Sequence, residues 1–473
     1  MDRPPLFSSD LQAAYEHLHA ASRAEPYPAW SVRRDRLRRL ASLIRNNETL
    51  LCKAISDDFG HRSTAETQVL DVVPSLEAIR HALRHGAGWM RTRRASTSIW
   101  FWPARAQLLP QPLGLVGIIV PWNYPLYLAV GPLASAFAAG NRAMIKLSEF
   151  SPAFGTQFSS LVRAAFDPAE LAIFTGGPDE AAAFSSLPFD HLLFTGSTAV
   201  GKRVMAAASV NLVPVTLELG GKSPAVLTSG FDVQLAADRI IYGKLVNAGQ
   251  TCVAPDYVLL PRNALESFAK ACELAARRLY PQGLRSSDYC SIIDMRHYNR
   301  LTTLQAQART AGVKLHPLFG GAQHMDLQHR LAPALFIDPP NDLALMQDEI
   351  FGPWLPLVPY DDTEQAIRYI NARPRPLALY WFDRDKRRIS HALQATHAGG
   401  VTVNDTLFHV VQDDLPFGGI GPSGMGHYHG RFGFETFTKL KPVLHQARLA
   451  GTALVRPPYG QTFARLIASM KRS

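Results

Sequence analysis

The chain has 473 residues, of which 47% are hydrophobic and 19% charged, and a formal net charge of +10. That length exceeds what one hydrophobic core serves and calls for at least two domains, while the composition excludes wholesale disorder. No apolar run reaches the ~18 residues of a membrane span, MDRPPLFSSD carries no secretory signal, and the basic residues are scattered without any nucleic-acid-binding signature.

The first ninety residues read as helical. In RRDRLRRLASLIRNN, Leu37, Leu40, Leu43 and Ile44 share one face, and the arginines around them read as its wet side. Residues 92–112, TRRASTSIWFWPARAQLLPQP, are aromatic and end in prolines, which predicts an extended arm and a subunit contact. From Pro112 onward strands and helices alternate. Residues 114–120, 142–147, 171–176 and 191–196 read as buried strands, and 125–139 as a helix stopped by Gly140-Asn141. A second run follows VTLELGGKSPAVL. It holds a helix through 240–246, the strand DYVLLP, a helix opened by an Asn263/Glu266 capping box, a looser segment near 280–330, and the strands LPLVPY, PLALYWFD and GVTVN. This rhythm predicts two α/β domains with mainly parallel sheets, plus an arm. The boundaries expected are 1–91 with 113–220, then 221–404, with 92–112 and 405–430 as bridging arm and 431–473 as a C-terminal segment.

Four cysteines, Cys52, Cys252, Cys272 and Cys290, lack disulfide or zinc spacing, which fits a reducing cytoplasm. Three of them sit in helical or unremarkable contexts. Cys252 differs, lying in the polar glycine turn NAGQTCVAPDY. Other turns join it as chemical candidates. FTGSTAVGKRV runs a strand into a capped helix start at Gly196-Ser197-Thr198-Ala199-Val200-Gly201, a cradle for phosphate. IKLSE ends a strand with Lys146 and Glu149, residue types that can hold ribose hydroxyls. PWNYP offers the Asn123 amide as a neutral donor, and ELGGK and EIFGP offer the carboxylates Glu218 and Glu349. Taken singly, each also reads as a turn that merely joins two elements. The lone G-x-G-x-x-G at 419–424 has Pro422 inside it and no strand leading in, so it reads as a glycine loop. His427 and His429 could share a strand face but lack partner ligands for a metal. FARLIASMKR puts Phe463, Leu466, Ile467 and Met470 on one face of a tail helix, fit to dock on the protein's own dimer or on a membrane surface.

PWNYP, FTGSTAVG, ELGGKSP, NAGQTC, EIFGP and LPFGG occur in the order found in aldehyde dehydrogenases, so the chain resembles that family over roughly residues 30–450. CVAPDYVL resembles the class 3 branch, and DFGHRS, WFWPAR and LPFDHLLFTGST look like its bacterial coniferyl aldehyde dehydrogenases. The resemblance implies that fold, with a Rossmann-like cofactor domain, an α/β catalytic domain and a β-arm for homodimerisation. It implies NAD, with NADP possible, and oxidation of an aldehyde to an acid through a thiohemiacetal and a thioester on Cys252. A coenzyme A-acylating enzyme or an aliphatic aldehyde dehydrogenase is the alternative. The oxyanion would be held by the Asn123 amide and the Cys252 backbone N–H. Glu218 would activate water, with Glu349 open to the same role. Glu349 and Phe351 would hold the nicotinamide ribose, Lys146 and Glu149 the adenosine ribose, and residues 196–201 the phosphates. Tyr124, Phe408 and Phe417 would line the substrate pocket. Lys146-Leu147-Ser148-Glu149 departs from the usual K-P-S-E at Leu147.

Overall fold

A computed structural model describes residues 9–320, 324–325, 329–448 and 450–471. Residues 1–8, read above for a secretory signal, lie outside the described residues. No helix among the described residues is long and apolar enough to cross a membrane.

Five strands form one parallel sheet: β1 (Leu115–Ile119), β2 (Arg142–Lys146), β3 (Leu171–Phe174), β4 (His191–Gly196) and β5 (Val215–Leu219). A second sheet contains β6 (Pro224–Leu227), β7 (Tyr257–Pro261), β8 (Lys314–Pro317), β9 (Ala334–Ile337), β10 (Trp354–Tyr360), β11 (Ala378–Phe382) and β12 (Gly400–Val403), in the order β8-β9-β10-β7-β6-β11-β12. A short strand, β13 (Gly424–Met425), then returns antiparallel onto β5, so the first sheet runs β13-β5-β4-β1-β2-β3. The central strands are apolar along their whole length because helices cover both faces. The glycine loop at 419–424 thus ends in a strand pairing, Gly424 with Glu218.

Helix α1 (Tyr127–Ala139) follows β1 and is buried along its full length, which is why it is apolar all round. Gly140 ends it in the left-handed region at φ 94. The arginine-rich helix Trp30–Asn46 packs beside it, and its arginines are not all on a wet face. Arg33 and Arg36 are 1% and 2% exposed. Arg33 donates to Ala138 O and Ala139 O, supplying donors to the carbonyls that end α1. Arg36 pairs with Glu170 at 2.9 Å.

Two other local readings are corrected. Asn263 makes no capping box: it sits in the 3-10 turn Arg262–Ala264, and the helix Leu265–Leu279 starts after it with no side-chain cap. The segment read as loose holds a 16-residue helix, α2 (Met295–Thr310), opened by Asp294, which accepts from His297 N at 2.7 Å.

The segment read as an arm is extended. Arg105–Pro112 pairs with Arg93–Ala95 on one side and with Thr438–His445 on the other. Residues 405–430 are not part of this three-stranded sheet. Ile99, Phe101 and Trp102 at its tip are 75%, 43% and 68% exposed. The tail helix, Gln461–Met470, has the predicted stripe half-buried, with the Tyr459 ring tilted against Phe463 at 4.6 Å.

Candidate active site

In the first sheet the chain moves outward from β1 to β2 and β3, then reverses to β4 and β5 on the other side. The reversal between β1 and β4 is the point where open α/β sheets leave a crevice at their carboxyl ends. The turn after β1 carries Asn123, the end of β4 is Gly196, and β5 ends at Glu218-Leu219. Opposite them lie turns at the amino ends of second-sheet strands: Cys252 before β7, Glu349 and Phe351 before β10, and Leu377 before β11. All these residues line one cavity of about 410 Å³.

The turn that carries Cys252 is held in an uncommon conformation. Asn247, Ala248 and Gly249 all have positive φ, at 52, 50 and 77. Two consecutive non-glycine residues in that region are costly unless their surroundings over-determine them. Here they do. Asn247 N donates to Glu66, Asn247 Nδ2 donates to Asn123 O and Gln250 O, and Gln250 Nε2 donates to Asn247 O and Ser291 O. A Cβ on Gly249 would lie 2.1 Å from Gly352 O, so only glycine lets this turn touch the EIFGP loop. Cys252 emerges half-buried. Cys52, Cys272 and Cys290 are buried, and Cys290 Sγ is bonded to Asn247 Oδ1 at 3.3 Å.

Asn123 is 3% exposed, and its Nδ2 donates to Gln250 O at 3.2 Å. An amide nitrogen carries two N–H groups, so one remains beyond that bond. Glu218 is 2% exposed, and neither carboxylate oxygen has a partner among the described residues. Burial alone pushes it well above the ordinary carboxylate range. Glu349 is raised to about 8, by burial and then by Asp256, against the N–H of Gly221 and the charges of Lys222 and Arg300. A Cβ on Gly220 would lie 2.0 Å from Glu349 Oε2. The Cys252 thiol is pushed up to about 12, by burial first and then by Glu349 and Glu218, against the N–H groups of Cys252 and Val253. The resting site therefore holds a protonated sulfur beside two acids of raised pKa. Such a set can pass protons within a dry pocket.

At the other end of the crevice, the helix of the first sheet's β4–β5 crossover (Thr198–Ser209) starts at Ser197, whose hydroxyl accepts from Val200 N. Its first-turn N–H groups, at Thr198 and Ala199, face out of the helix start, and Gly201 is small enough to press against Leu219, which a Cβ would meet at 2.6 Å. This donor set fits an anionic dinucleotide. Gly196 and Ser197 line the cavity itself. Lys146 and Glu149 do not: they stand at the carboxyl end of β2, one strand out from β1. Lys146 is 2% exposed and donates to Leu147 O and Gly176 O at 2.8 and 2.7 Å, while Glu149 is exposed. Leu147 is buried in the core, and Ser148 Oγ accepts from Phe150 N to shape the turn.

The pocket wall is aromatic and aliphatic. Tyr124 and Phe417 line it as expected, and Tyr124 bonds Thr251 beside the cysteine. Phe408 does not line it; it is 45% exposed and stacks on Tyr242 at 6.5 Å. Its neighbours Leu407, Val410 and Val411 face the cavity instead. Tyr127, Tyr428 and His297 also line it and went unread in the sequence, although Tyr428 sits inside GHYHG. His427 is exposed and His429 buried, so they share no face. His429 bonds Tyr127 Oη at 3.1 Å, and burial lowers it to about 3, leaving a neutral imidazole. Among the described residues no cluster of three or more metal-ligating side chains occurs.

The aldehyde dehydrogenase family profile matches residues 7–443, and the chain belongs to that family, whose members oxidise aldehydes. It is 47% identical over 459 residues to a probable coniferyl aldehyde dehydrogenase of Pseudomonas aeruginosa, covering 97% of this chain and 96% of that one. The substrate-bound state of Staphylococcus aureus AldH superposes with a TM-score of 0.92 at 36% identity, over 97% of this chain and 99% of that one. An indole-3-acetaldehyde dehydrogenase of P. syringae in complex with NAD+ superposes with a TM-score of 0.85 at 25% identity, over 93% and 89% of the two chains.

Proposed function

We propose that the protein oxidises a bulky aromatic aldehyde, of the coniferyl aldehyde kind, to its carboxylic acid, with Cys252 as nucleophile and NAD as the redox partner. The observation that carries this reading is the joint opening of Cys252 and the partnerless Glu218 carboxylate onto one cavity walled by Tyr124, Tyr127, Phe417 and Tyr428. Cys252 Sγ adds to the aldehyde carbon, and the thiol proton passes to ionised Glu349 and on to solvent, which leaves Glu218 unprotonated for the later water step. The carbonyl oxygen becomes an oxyanion held by the Asn123 amide and the Cys252 N–H. When bound, NAD+ supplies the acceptor for the hydride lost from that carbon, which leaves a thioester on Cys252. Glu218 takes a proton from the water that attacks the thioester; a carboxyl raised by burial is the stronger base for this step. Water adds to the acyl carbon, the C–S bond breaks, the proton held by Glu218 returns to the Cys252 sulfur, and the acid departs.

On the cofactor side, Glu349 and Phe351 would hold the nicotinamide ribose, residues 196–201 the phosphates, and Lys146 and Glu149 the adenosine ribose. A glutamate there favours a free 2′-hydroxyl over a 2′-phosphate, hence NAD over NADP. The exposed aromatic tip of the arm supports a homodimer, and four free cysteines support a reducing, cytoplasmic setting. The test is NADH formation with coniferyl aldehyde, benzaldehyde and a long alkanal, at saturating NAD and then NADP. Turnover is expected to be fastest with the aromatic aldehydes and to vanish in Cys252→Ala while cofactor binding persists. Silence with all three aldehydes, or normal turnover in Cys252→Ala, refutes the reading.

A further inference from the structure

The Cys252 turn and the Asn123 turn come from different sheets. Both are bonded to one short segment, residues 62–71, to which none of the roles above assigns a part. Arg62 has no exposed side-chain surface, and its Nη1 donates to Asn123 O at 3.1 Å. Its Nη2 lies 3.0 Å from Asp71 Oδ2, and its guanidinium packs over the rings of Tyr124 and Phe59 at 5.0 and 5.3 Å. Asp71 Oδ1 accepts from Tyr127 N at 3.1 Å, which anchors the start of α1. Glu66, on the other side, accepts from Asn247 N, and Asn247 Nδ2 donates to the same Asn123 O at 3.1 Å. Residues Gln68–Val72 are wound as one turn of π-helix, so that Val69 and Leu70 reach the cavity wall while Asp71 is buried against Arg62. Such turns weaken a helix and are found mostly where function needs a side chain re-aimed.

We propose that Arg62, set between Asp71 and Glu66, is a positioning residue that fixes the spacing between the Asn123 amide and Cys252 Sγ, and so governs how well the oxyanion is held. The inference rests on the role proposed above for Asn123. A planar guanidinium can bond a carbonyl and a carboxylate at once in fixed directions, whereas a lysine ammonium is a point charge on a flexible stem. Arg62→Lys therefore keeps the charge and loses the geometry.

The experiment compares Arg62→Lys, Asn123→Ala and the double variant by kcat for aldehyde oxidation, by cofactor affinity, and by the rate at which iodoacetamide alkylates Cys252. Alkylation needs the sulfur but creates no oxyanion. In Arg62→Lys, kcat is expected to fall ~10–100-fold. Cofactor affinity and alkylation should stay within about twofold, and Arg62→Lys should add less than about twofold to Asn123→Ala, because the amide it positions is gone. Equal losses in both backgrounds overturn the inference, as does alkylation that falls in step with kcat, which would mean the whole site had loosened. Arg62→Lys with full turnover beside a crippled Asn123→Ala sinks this inference alone. Asn123→Ala with full turnover sinks the reading beneath it. Should Arg62→Lys not fold, Asp71→Asn, which keeps an acceptor for Tyr127 N and turns an amide donor toward Arg62, runs the same cycle with the same criteria.

Discussion

Asp71 and Glu218 are acids buried to nearly the same depth, at 0% and 2% exposure, and the fold treats them as opposites. Asp71 faces Arg62 and takes the N–H of Tyr127; Glu218 has no bond on either oxygen among the described residues. Burial raises both. At Asp71 the Arg62 charge and backbone N–H groups pull back against it, and at Glu218 nothing does. A buried carboxylate without partners contributes nothing to stability, so its retention beside a half-buried thiol points to chemistry. A buried carboxylate paired with a guanidinium and a helix N–H belongs to the frame. Pairing, more than depth, separates the two kinds of site.

The largest effect that can break this comparison is catalytic. Glu218→Gln should lower steady-state turnover by ~10²–10⁴ while leaving a first burst of NADH, since acylation precedes the step that needs a base. A first turnover as slow as the later ones would shift the base role to Glu349. Stability should move the other way. A carboxyl whose folded pKa is raised above its unfolded value binds more protons folded than unfolded, so its contribution weakens stability as pH rises from the ordinary carboxylate range toward the folded pKa. Glutamine has no such penalty. Melting curves of the wild type and Glu218→Gln should coincide near pH 4–5, with the variant melting progressively higher toward pH 9. A gap that does not grow with pH would mean that Glu218 is partnered in solution.

Asp71 should give the mirror result. Asp71→Ala removes the carboxylate paired with Arg62 and leaves only Glu66 near its charge, and breaking one side of a buried pair costs about 3–5 kcal/mol. Chemical denaturation would measure it. A loss under ~1 kcal/mol, the scale of an exposed pair, would place the Arg62–Asp71 contact outside the frame.

The thiol supplies a finer test. With Cys252 pushed up to about 12, its alkylation by iodoacetamide in the cofactor-free enzyme should rise close to tenfold per pH unit across about pH 7–9. A rate already flat above pH 7 would reveal an ionised thiol and a neighbouring cation that no described contact supplies.

The sequence reveals what local chemistry announces. Cys252, Glu218 and Asn123 stand in turns punctuated by glycine, asparagine and proline, and punctuation of that kind is visible without a partner. Strands β1, β2, β4 and β7 are legible for the same reason, as short apolar runs bounded by turn residues. What stayed hidden depends on distant partners. Arg33 and Arg36 read as surface because charge reads as surface. Only the carbonyls at the end of α1 and the Glu170 carboxylate, both more than a hundred residues away, make them core. The Arg62–Asp71 pair is hidden similarly, because nothing local tells a buried aspartate from an exposed one. Helix α2 was missed because its stripe is weakly apolar and its cap, Asp294, precedes Met295-Arg296-His297 rather than a glutamate-marked capping box. Asn263 and Glu266 had the right spacing, yet a 3-10 turn ahead of the helix took up the first of them.

The smallest expected effect concerns the mouth of the pocket, where spacing within one loop misleads. Phe408 and Phe417 are equally aromatic and both precede the glycine motif in sequence, but only Phe417 is buried, at 6% exposure, stacked on His429 at 5.3 Å and facing the cavity. Phe408 turns outward onto Tyr242, while Leu407 and Val410 on either side face in. Phe417→Ala should raise KM for an aromatic aldehyde by roughly 10-fold or more, the scale of one lost aromatic contact in a pocket. Phe408→Ala should change it by less than about twofold, as surface substitutions do. Since the two variants remove the same ring, their ratio reports geometry rather than hydrophobicity, and equal effects would mean that the 405–411 loop turns over when substrate enters.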